Sequence, residues 1–271
     1  MKKTLIQYTL IFILVLSKWL SSSALGQATV NLNELRMSSA VIIVKDLKSS
    51  ASWYYKYLKF KIKEFKPEKH VKMTHNGFQL TLRKGKSTLL LREITFTKGK
   101  KYVNGINKLG FTSNQFDSLN FYLQRHEQKF MKPASLDQNI GKQTMIVYDP
   151  DGNQIFLIDE PSDPSSFILK PNFLSINSSD YITTLKWYTT HLGFEEIELK
   201  DDSNAHFQSL LRKDDIILEL IHLPYESLET TEFMPIERDL ASFDRVVFEK
   251  GLAKKVISEL DNNGNKIVIR K

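Results

Sequence analysis

The chain has 271 residues, of which 41% are hydrophobic, 11% aromatic and 25% charged, and it contains no cysteine. This apolar content excludes a disordered chain, and the length is sufficient for one large or two medium domains with a sizeable core. The absence of cysteine excludes disulfide scaffolds, thiol nucleophiles and zinc sites with cysteine ligands.

Residues 1–26 have the pattern of an export signal. Two lysines precede an apolar run from Leu5 to Leu16, and a stretch of small residues follows. The run is shorter than the roughly 20 residues that a membrane-spanning helix needs. We therefore expect cleavage before Gln27 and a periplasmic or extracellular protein. The alternative is an uncleaved anchor, the one case in which we expect contact with a membrane.

The net charge argues against nucleic-acid binding. The formal charge is +7, and removal of the predicted signal lowers it to +4 because the signal carries three lysines and no acidic residue. The remaining excess is spread along the chain without an arginine-rich block. We therefore expect no nucleic-acid partner.

The mature chain is predicted to begin with a strand, a helix and three further strands. An apolar strand at 40–44 leads into a helix from Asp46 to Leu58, whose apolar residues recur at helical spacing. A second strand follows at Phe60, and two more are predicted at 78–83 and 87–93.

The next elements complete the first half of the chain. A strand at 109–112 precedes a helix at about 115–127, and a hairpin occupies 144–159 with the sequence Asp-Pro-Asp-Gly-Asn at its turn. An Asp-Gly pair is a strong hairpin signal. Prolines and serines over 161–171 predict a linker.

The sequence then repeats itself. Asp46 aligns with Asp180, at an offset of 134 residues. The segment that starts at Phe78 aligns with the one that starts at Phe207, at an offset of 129, and the segment that starts at Lys108 aligns with the one that starts at Arg245, at an offset of 137. The order is kept with loop-sized differences, which indicates an internal duplication. The second copy is thus predicted to contain strands at 173–177, 207–212, 216–222 and 246–249, and helices from Asp180 to Leu192 and at 252–262.

The second copy is interpreted as shortened. Its closing hairpin has no counterpart, and the final apolar run at 266–269 matches only the strand before that hairpin. We expect a partner chain, as in a homodimer, or the 223–243 segment to cover the sheet edge that this leaves. The predicted organisation is a signal at 1–26, a first module at 27–160, a linker at 161–171 and a shortened second module at 172–271.

A duplicated βαβββ unit with Val-x-Asp-Leu before a helix, a Trp-Tyr-x3-Leu-x-Phe segment and a closing Asp-Pro-Asp-Gly-Asn hairpin resembles the vicinal oxygen chelate superfamily. That superfamily includes glyoxalase I, extradiol dioxygenases and bleomycin-resistance proteins. The resemblance implies an α+β fold in which tandem βαβββ modules form curled mixed sheets around a cavity, with helices outside. It also implies a divalent metal in that cavity, as many members have.

The resemblance further implies where metal ligands belong. In this sequence those positions hold Ser39, Lys108 and Phe156, with Phe173 and Arg245 in the second copy. Phenylalanine cannot bind a cation and a protonated lysine or arginine repels one, so we predict no metal. We retain the five residues as ligand-binding candidates. Lys108 and Arg245 suit an anionic or oxygen-rich ligand, unless their side chains extend to the rim of the cavity.

Other metal ligands are not evident. His70 and His75 lack a carboxylate at suitable spacing, and His75 is predicted to lie in a loop. Glu219 and His222 are three apart on a strand, so they face opposite sides of the sheet. We therefore expect an exported protein that binds a small molecule without a metal, and no catalytic residue is assigned. The alternative is a metal-dependent lyase, isomerase or dioxygenase of the same superfamily, with ligands at other positions.

Overall fold

The computed structural model describes residues 34–85, 105–161, 166–178, 180–202, 206–222, 243–250, 256–260 and 266–270. The predicted signal, the predicted strand at 87–93 and most of the 223–243 segment lie outside these ranges.

The described residues form three helices and two β-sheets. The helices are α1 (Leu47–Leu58), α2 (Phe116–Arg125) and α3 (Tyr181–Leu192). The strands are β1 (Leu35–Val44), β2 (Lys61–Lys66), β3 (His70–His75), β4 (Phe78–Lys84), β5 (Gly105–Ser113), β6 (Phe130–Asp137), β7 (Lys142–Tyr148), β8 (Gln154–Asp159), β9 (Leu169–Ser178), β10 (Glu195–Asp202), β11 (His206–Lys213), β12 (Ile216–His222), β13 (Phe243–Lys250), β14 (Val256–Leu260) and β15 (Lys266–Arg270). None of these helices is long and apolar enough to cross a bilayer.

Both sheets are mixed, and each takes strands from both halves of the chain. Sheet 1 has seven strands in the order β14-β15-β13-β1-β4-β3-β2, and sheet 2 has eight in the order β10-β11-β12-β9-β5-β8-β7-β6. The halves meet at two antiparallel junctions, β1 with β13 and β5 with β9. The predicted α+β class with curled mixed sheets is confirmed.

One apolar core packs against a single face of each sheet. In β1 the side chains of Ala40 and Ile42 belong to this core, as do Leu109 and Phe111 of β5, together with the buried sides of all three helices. Because successive side chains of a strand alternate between faces, the residues between them lie on the opposite face. We call that opposite surface the helix-distal face of each sheet.

Helices α1 and α3 begin and end at residues that the predicted repeat equates. The carboxylate of Asp46 accepts a hydrogen bond from the N–H of Ser49 at 2.7 Å, and that of Asp180 accepts one from Thr183 at 3.1 Å. Such N-caps satisfy N–H groups that have no partner within the helix. Each helix ends in a left-handed residue, Lys59 in one and Gly193 in the other. The two predicted helices are confirmed.

The Asp-Pro-Asp-Gly-Asn turn is a buried anchor rather than a simple two-residue hairpin. The carboxylate of Asp149 accepts hydrogen bonds from the N–H groups of Asp151 (2.9 Å) and Asn153 (2.8 Å) and from the hydroxyl of Tyr54 (2.9 Å). The carboxylate of Asp151 accepts one from the N–H of Lys45 at 2.9 Å. The turn thus fastens the start of β8 to α1 and to the segment before it.

His75 lies in a strand, which corrects the prediction of a loop. It ends β3 and is buried, with Nδ1 at 3.1 Å from the carbonyl of Lys59. Its Nε2 accepts a hydrogen bond from the N–H of Leu169 at 3.1 Å. The antiparallel ladder with β4 holds this segment extended, because a ladder satisfies backbone groups that a loop would leave to water.

Strand pairing corrects one of the three repeat alignments. β4 is the parallel neighbour of β1, with Gln79 beside Ser39, and β12 is the parallel neighbour of β9, with Ile217 beside Phe173. Since the predicted repeat equates Ser39 with Phe173, these pairings make Gln79 the counterpart of Ile217, at an offset of 138. The alignment at 129 is therefore wrong by one strand, because similar apolar spacing recurs in adjacent strands and only pairing distinguishes them.

The end of the chain also differs from the prediction. Residues 256–260 form β14, paired with β15, and are not part of a helix at 252–262. β15 lies parallel to β13, just as β8 lies parallel to β5. The run at 266–269 therefore takes the position of the closing strand, not of the strand before it. Among the described residues of the second half of the chain nothing corresponds to β6, so β14 forms that edge of sheet 1.

Candidate functional site

The five candidate residues lie on the helix-distal faces, in two separate groups. Ser39 on β1 and Arg245 on β13 belong to sheet 1. Lys108 on β5, Phe156 on β8 and Phe173 on β9 belong to sheet 2. The two groups have different chemical surroundings.

In sheet 2 a row of polar side chains crosses three strands. Lys108 of β5 is in register with Ser175 of β9, which is in register with Glu219 of β12. The ammonium of Lys108 donates to Oε2 of Glu219 at 2.5 Å, and the hydroxyl of Ser175 donates to the same oxygen. Gln208 donates to Oε1 at 2.6 Å. Both carboxylate oxygens are therefore satisfied by donors from neighbouring strands.

This ion pair is enclosed by protein. The side chain of Lys108 is 11% exposed and that of Glu219 is 9% exposed. Removing two charges from water is unfavourable, and such a pair persists only where additional hydrogen bonds satisfy the charged groups. Here Ser175 and Gln208 supply those hydrogen bonds to the carboxylate.

Beside the ion pair, two aromatic rings close the surface. The rings of Phe156 and Phe173 lie 4.4 Å apart between centroids, and both side chains are buried. Gly110 lies between them on β5, and a Cβ atom there would be 2.6 Å from Cβ of Phe173. The missing side chain is what allows the rings to meet. An apolar cluster surrounds them, made of Ile140, Ile146, Ile158, Leu210 and Ile217.

The residues at the implied ligand positions of sheet 2 do not fit a divalent metal. A lysine ammonium and two phenyl rings offer no lone pair to a cation. Glu219 is the carboxylate among these neighbours, and it already binds the charge of Lys108. Within the described ranges no three His, Cys, Asp or Glu side chains are grouped as a metal would need.

Glu219 is the residue that sequence analysis missed. It was weighed there only as a partner of His222, and the structure does place the two on opposite faces, with the His222 ring 6.0 Å from that of Tyr181 on α3. The available signal was a single carboxylate within the otherwise apolar run of β12. A buried charge requires a partner, although sequence alone does not reveal which residue supplies it.

In sheet 1 the helix-distal face is polar and partly open. Arg245 is in register with Val41, and Val41 with Thr81 of β4, and all three side chains are half-buried. Asp244 lies 3.3 Å from the guanidinium of Arg83 and 3.6 Å from that of Arg245. Nε of Arg245 is buried and has no hydrogen-bond partner among the described residues.

A second charged cluster continues across the same face to the sheet edge. Glu64 on β2 lies 2.6 Å from the ammonium groups of both Lys66 and Lys72, and 3.5 Å from Nε2 of His70. Hydrogen bonds from Lys66 and Lys72 lower the pKa of Glu64 to about 2. Together these two clusters bring four basic side chains other than histidine, those of Lys66, Lys72, Arg83 and Arg245, against the carboxylates of Glu64 and Asp244.

A cavity of about 230 Å³ lies elsewhere, at the end of α3. Leu35, His191, Lys213 and Ile269 line it, and none of the five candidate residues does. It has no cluster of charged groups, so we do not assign a function to it.

Known proteins resemble this chain in sequence pattern and in fold. Residues 36–157 match the family model described as Glyoxalase/Bleomycin resistance protein/Dioxygenase superfamily. Glyoxalase I from Zea mays superposes with a TM-score of 0.58 at 15% identity, covering 88% of this chain and 92% of its own. A putative dioxygenase from Bacillus subtilis superposes with a TM-score of 0.61 at 11% identity, covering 87% of this chain and 84% of its own. Such identities show a shared fold alone. None of the curated proteins matches the chain in sequence.

Proposed function

Because this chain belongs, through residues 36–157, to the glyoxalase/bleomycin resistance protein/dioxygenase superfamily, we propose that it binds a small anionic molecule without a metal. The binding surface that we propose is the helix-distal face of sheet 1, around Arg245 and Ser39. The observation that carries the proposal is the guanidinium of Arg245, whose Nε is buried and lacks a hydrogen-bond partner among the described residues.

The chemistry of a guanidinium supports an anionic ligand. Its planar set of N–H donors matches a carboxylate or a phosphate with two parallel hydrogen bonds. Asp244 contacts one Nη of Arg245 at 3.6 Å, and the side chain remains 32% exposed. Arg245 therefore keeps donor capacity, and part of its side chain, although not Nε, is accessible from solvent.

The comparison of the two sheets also supports sheet 1 as the binding surface. The charge of Lys108 in sheet 2 is neutralised by Glu219, and Phe156 and Phe173 cover the adjoining surface. On sheet 1 the basic side chains outnumber the carboxylates, which favours anions electrostatically. Ser39 is half-buried on the same face, where its hydroxyl is a further candidate donor.

The test compares the wild-type protein with Arg245→Gln. Thermal shift and titration calorimetry with inorganic phosphate and with succinate, against sodium chloride at equal ionic strength, should show saturable stabilisation of the wild type. We expect Arg245→Gln to weaken binding by about tenfold or more, because a charged hydrogen-bond donor is lost.

Arg36→Gln is the matched control. Arg36 lies on the same sheet and pairs with Glu249 at 3.2 Å, but its side chain is 62% exposed. Its loss removes the same charge and should leave binding unchanged. Equal weakening of binding in both variants would mean that only net charge matters and not the position of Arg245. If neither anion stabilises the wild type saturably, the proposed ligand class is refuted. One stoichiometric metal per purified chain, with higher thermal stability than the metal-free protein, would instead favour metal-dependent chemistry.

We also propose that the chain is exported and that the signal is removed before Gln27. The support is the lysine-led apolar segment within residues 1–26. N-terminal sequencing of the protein from cell-envelope and culture fractions should begin at Gln27. An N-terminus at Met1 in all fractions would exclude cleavage.

A further inference from the structure

We propose that Lys108 acts as a built-in cation, filling a cation-binding cradle that Glu219, Ser175 and Gln208 form on the helix-distal face of sheet 2. The inference concerns a different sheet from the proposed anion site and does not depend on it.

The cradle is assembled from strands other than that of the lysine. Glu219 is on β12, Ser175 on β9 and Gln208 on β11, whereas Lys108 reaches over from β5. Ser175 and Gln208 each donate to a different oxygen of the carboxylate, which fixes its orientation. A preoriented carboxylate beside the hydroxyl oxygen of Ser175 is chemically a site for a small cation.

The length of lysine explains why this residue type can occupy the cradle. β5 and β12 flank β9, so Lys108 and Glu219 are two strand spacings apart, roughly 10 Å between backbones. A four-carbon side chain spans much of that distance and delivers a compact charge, and Nζ ends 2.5 Å from Oε2. The cation is therefore covalently part of the chain and cannot dissociate.

The surrounding side chains keep the lysine in place and exclude additional ligands. Phe156 and Phe173 bury apolar rings beside the pair, and Gly110 makes room for them. Water is largely excluded, since the lysine and the glutamate are each about nine-tenths buried. A charge removed from this environment should leave a place that only another cation can fill favourably.

The experiment is chemical rescue of Lys108→Ala in the purified full chain. We expect this variant to melt about 10 °C below the wild type, because a buried carboxylate loses its counter-charge. Methylammonium chloride should restore about 4 °C at a tenfold excess over its dissociation constant, relative to sodium chloride at equal ionic strength. The wild type should show no such response.

Glu219 provides the control for specificity. The double variant Lys108→Ala/Glu219→Gln should not respond to methylammonium, because the cradle has lost its charge. Rescue that persists in this double variant, or no rescue of a folded Lys108→Ala, would overturn the proposal. Either result would leave the anion site of sheet 1 unaffected, so the two proposals fail independently.

Lys108→His keeps the test decisive if Lys108→Ala does not fold. A neutral imidazole beside Glu219 offers two ligands to a divalent ion. Nickel should raise the melting temperature of Lys108→His but not that of Lys108→His/Glu219→Gln. If the wild type binds nickel stoichiometrically and Glu219→Gln abolishes that binding, the lysine does not fill the cradle. The absence of a nickel effect on Lys108→His would also contradict the proposal.

Discussion

Gly110 shows how one residue shapes the helix-distal face of sheet 2. Its neighbours across both adjacent strands are Phe156 and Phe173, whose rings meet over the glycine. A side chain on this residue would collide with Phe173, since the nearest approach to a Cβ atom would be 2.6 Å. The packing of this face therefore requires a residue without a Cβ atom at position 110.

We expect Gly110→Ala to destabilise the protein by about 2 kcal/mol, because overpacking a tight core forces neighbours from their positions. Urea unfolding measures the effect. In a Phe173→Ala background, Gly110→Ala should cost less unfolding free energy than it does in the wild type, since the colliding ring is gone. If the two single effects simply add, the collision is not the cause of the destabilisation.

At the scale of elements, β3 connects parts of the chain that are distant in sequence. His75 bridges Lys59, which ends α1, and Leu169, which begins β9. Because Nε2 accepts from an N–H group, Nδ1 must carry the ring proton and donate to the carbonyl of Lys59. Burial is the main cause that lowers the pKa of His75, which favours the neutral ring that these two hydrogen bonds require.

We predict that His75→Ala costs about 3 kcal/mol of unfolding free energy, because it leaves a buried N–H and carbonyl unpaired and opens a cavity. His70→Ala is the matched control on the same strand. His70 faces the other side and contacts Glu64 near the sheet edge, so its loss should cost less than about 1 kcal/mol. Similar losses from both substitutions in denaturant titrations would contradict the bridging role.

At the scale of the whole molecule, the buried anchor at Asp149 makes stability depend on pH. Burial is the main cause that raises the pKa of Asp149 to about 6, and the carboxylate of Asp151 adds to the effect. An unfolded chain has the ordinary value of 3.8 and so binds the proton less tightly. The stability that protonated Asp149 contributes is therefore complete below about pH 4 and decreases as the pH rises through 6.

We predict that the unfolding free energy of the wild type relative to Asp149→Asn falls by about 3 kcal/mol between pH 4 and pH 7.5. Urea titrations across this range measure it. His75 acts in the opposite direction, because its stabilisation is lost as the pH falls below 6.5, but both proteins contain it and its effect cancels in the difference. A difference that does not change with pH would mean that Asp149 titrates as an ordinary carboxyl group.

Much of the local structure could be predicted from sequence, because its causes are local. The helices after Asp46 and Asp180 follow from capping side chains and apolar spacing, and the Asp149 turn from its composition. The class of fold was implied by the resemblance that these motifs, in this order, bear to the vicinal oxygen chelate superfamily. Prediction failed at His75 and over residues 256–260, and it also misplaced the strand at 266–269 and one of the three repeat alignments. In each case pairing with a distant or later strand outweighed the local signal.

The candidate site was only partly predictable. The sequence by itself determined which residue types occupy the five candidate positions and that a lone carboxylate interrupts β12. Only the tertiary structure decided that Lys108 meets Glu219, that Arg245 lies on the other sheet, and that each sheet combines both halves of the chain. The physical reason is that caps and turns act between near neighbours, whereas strand partners and buried charge pairs are chosen by surfaces that meet only after the whole chain has folded.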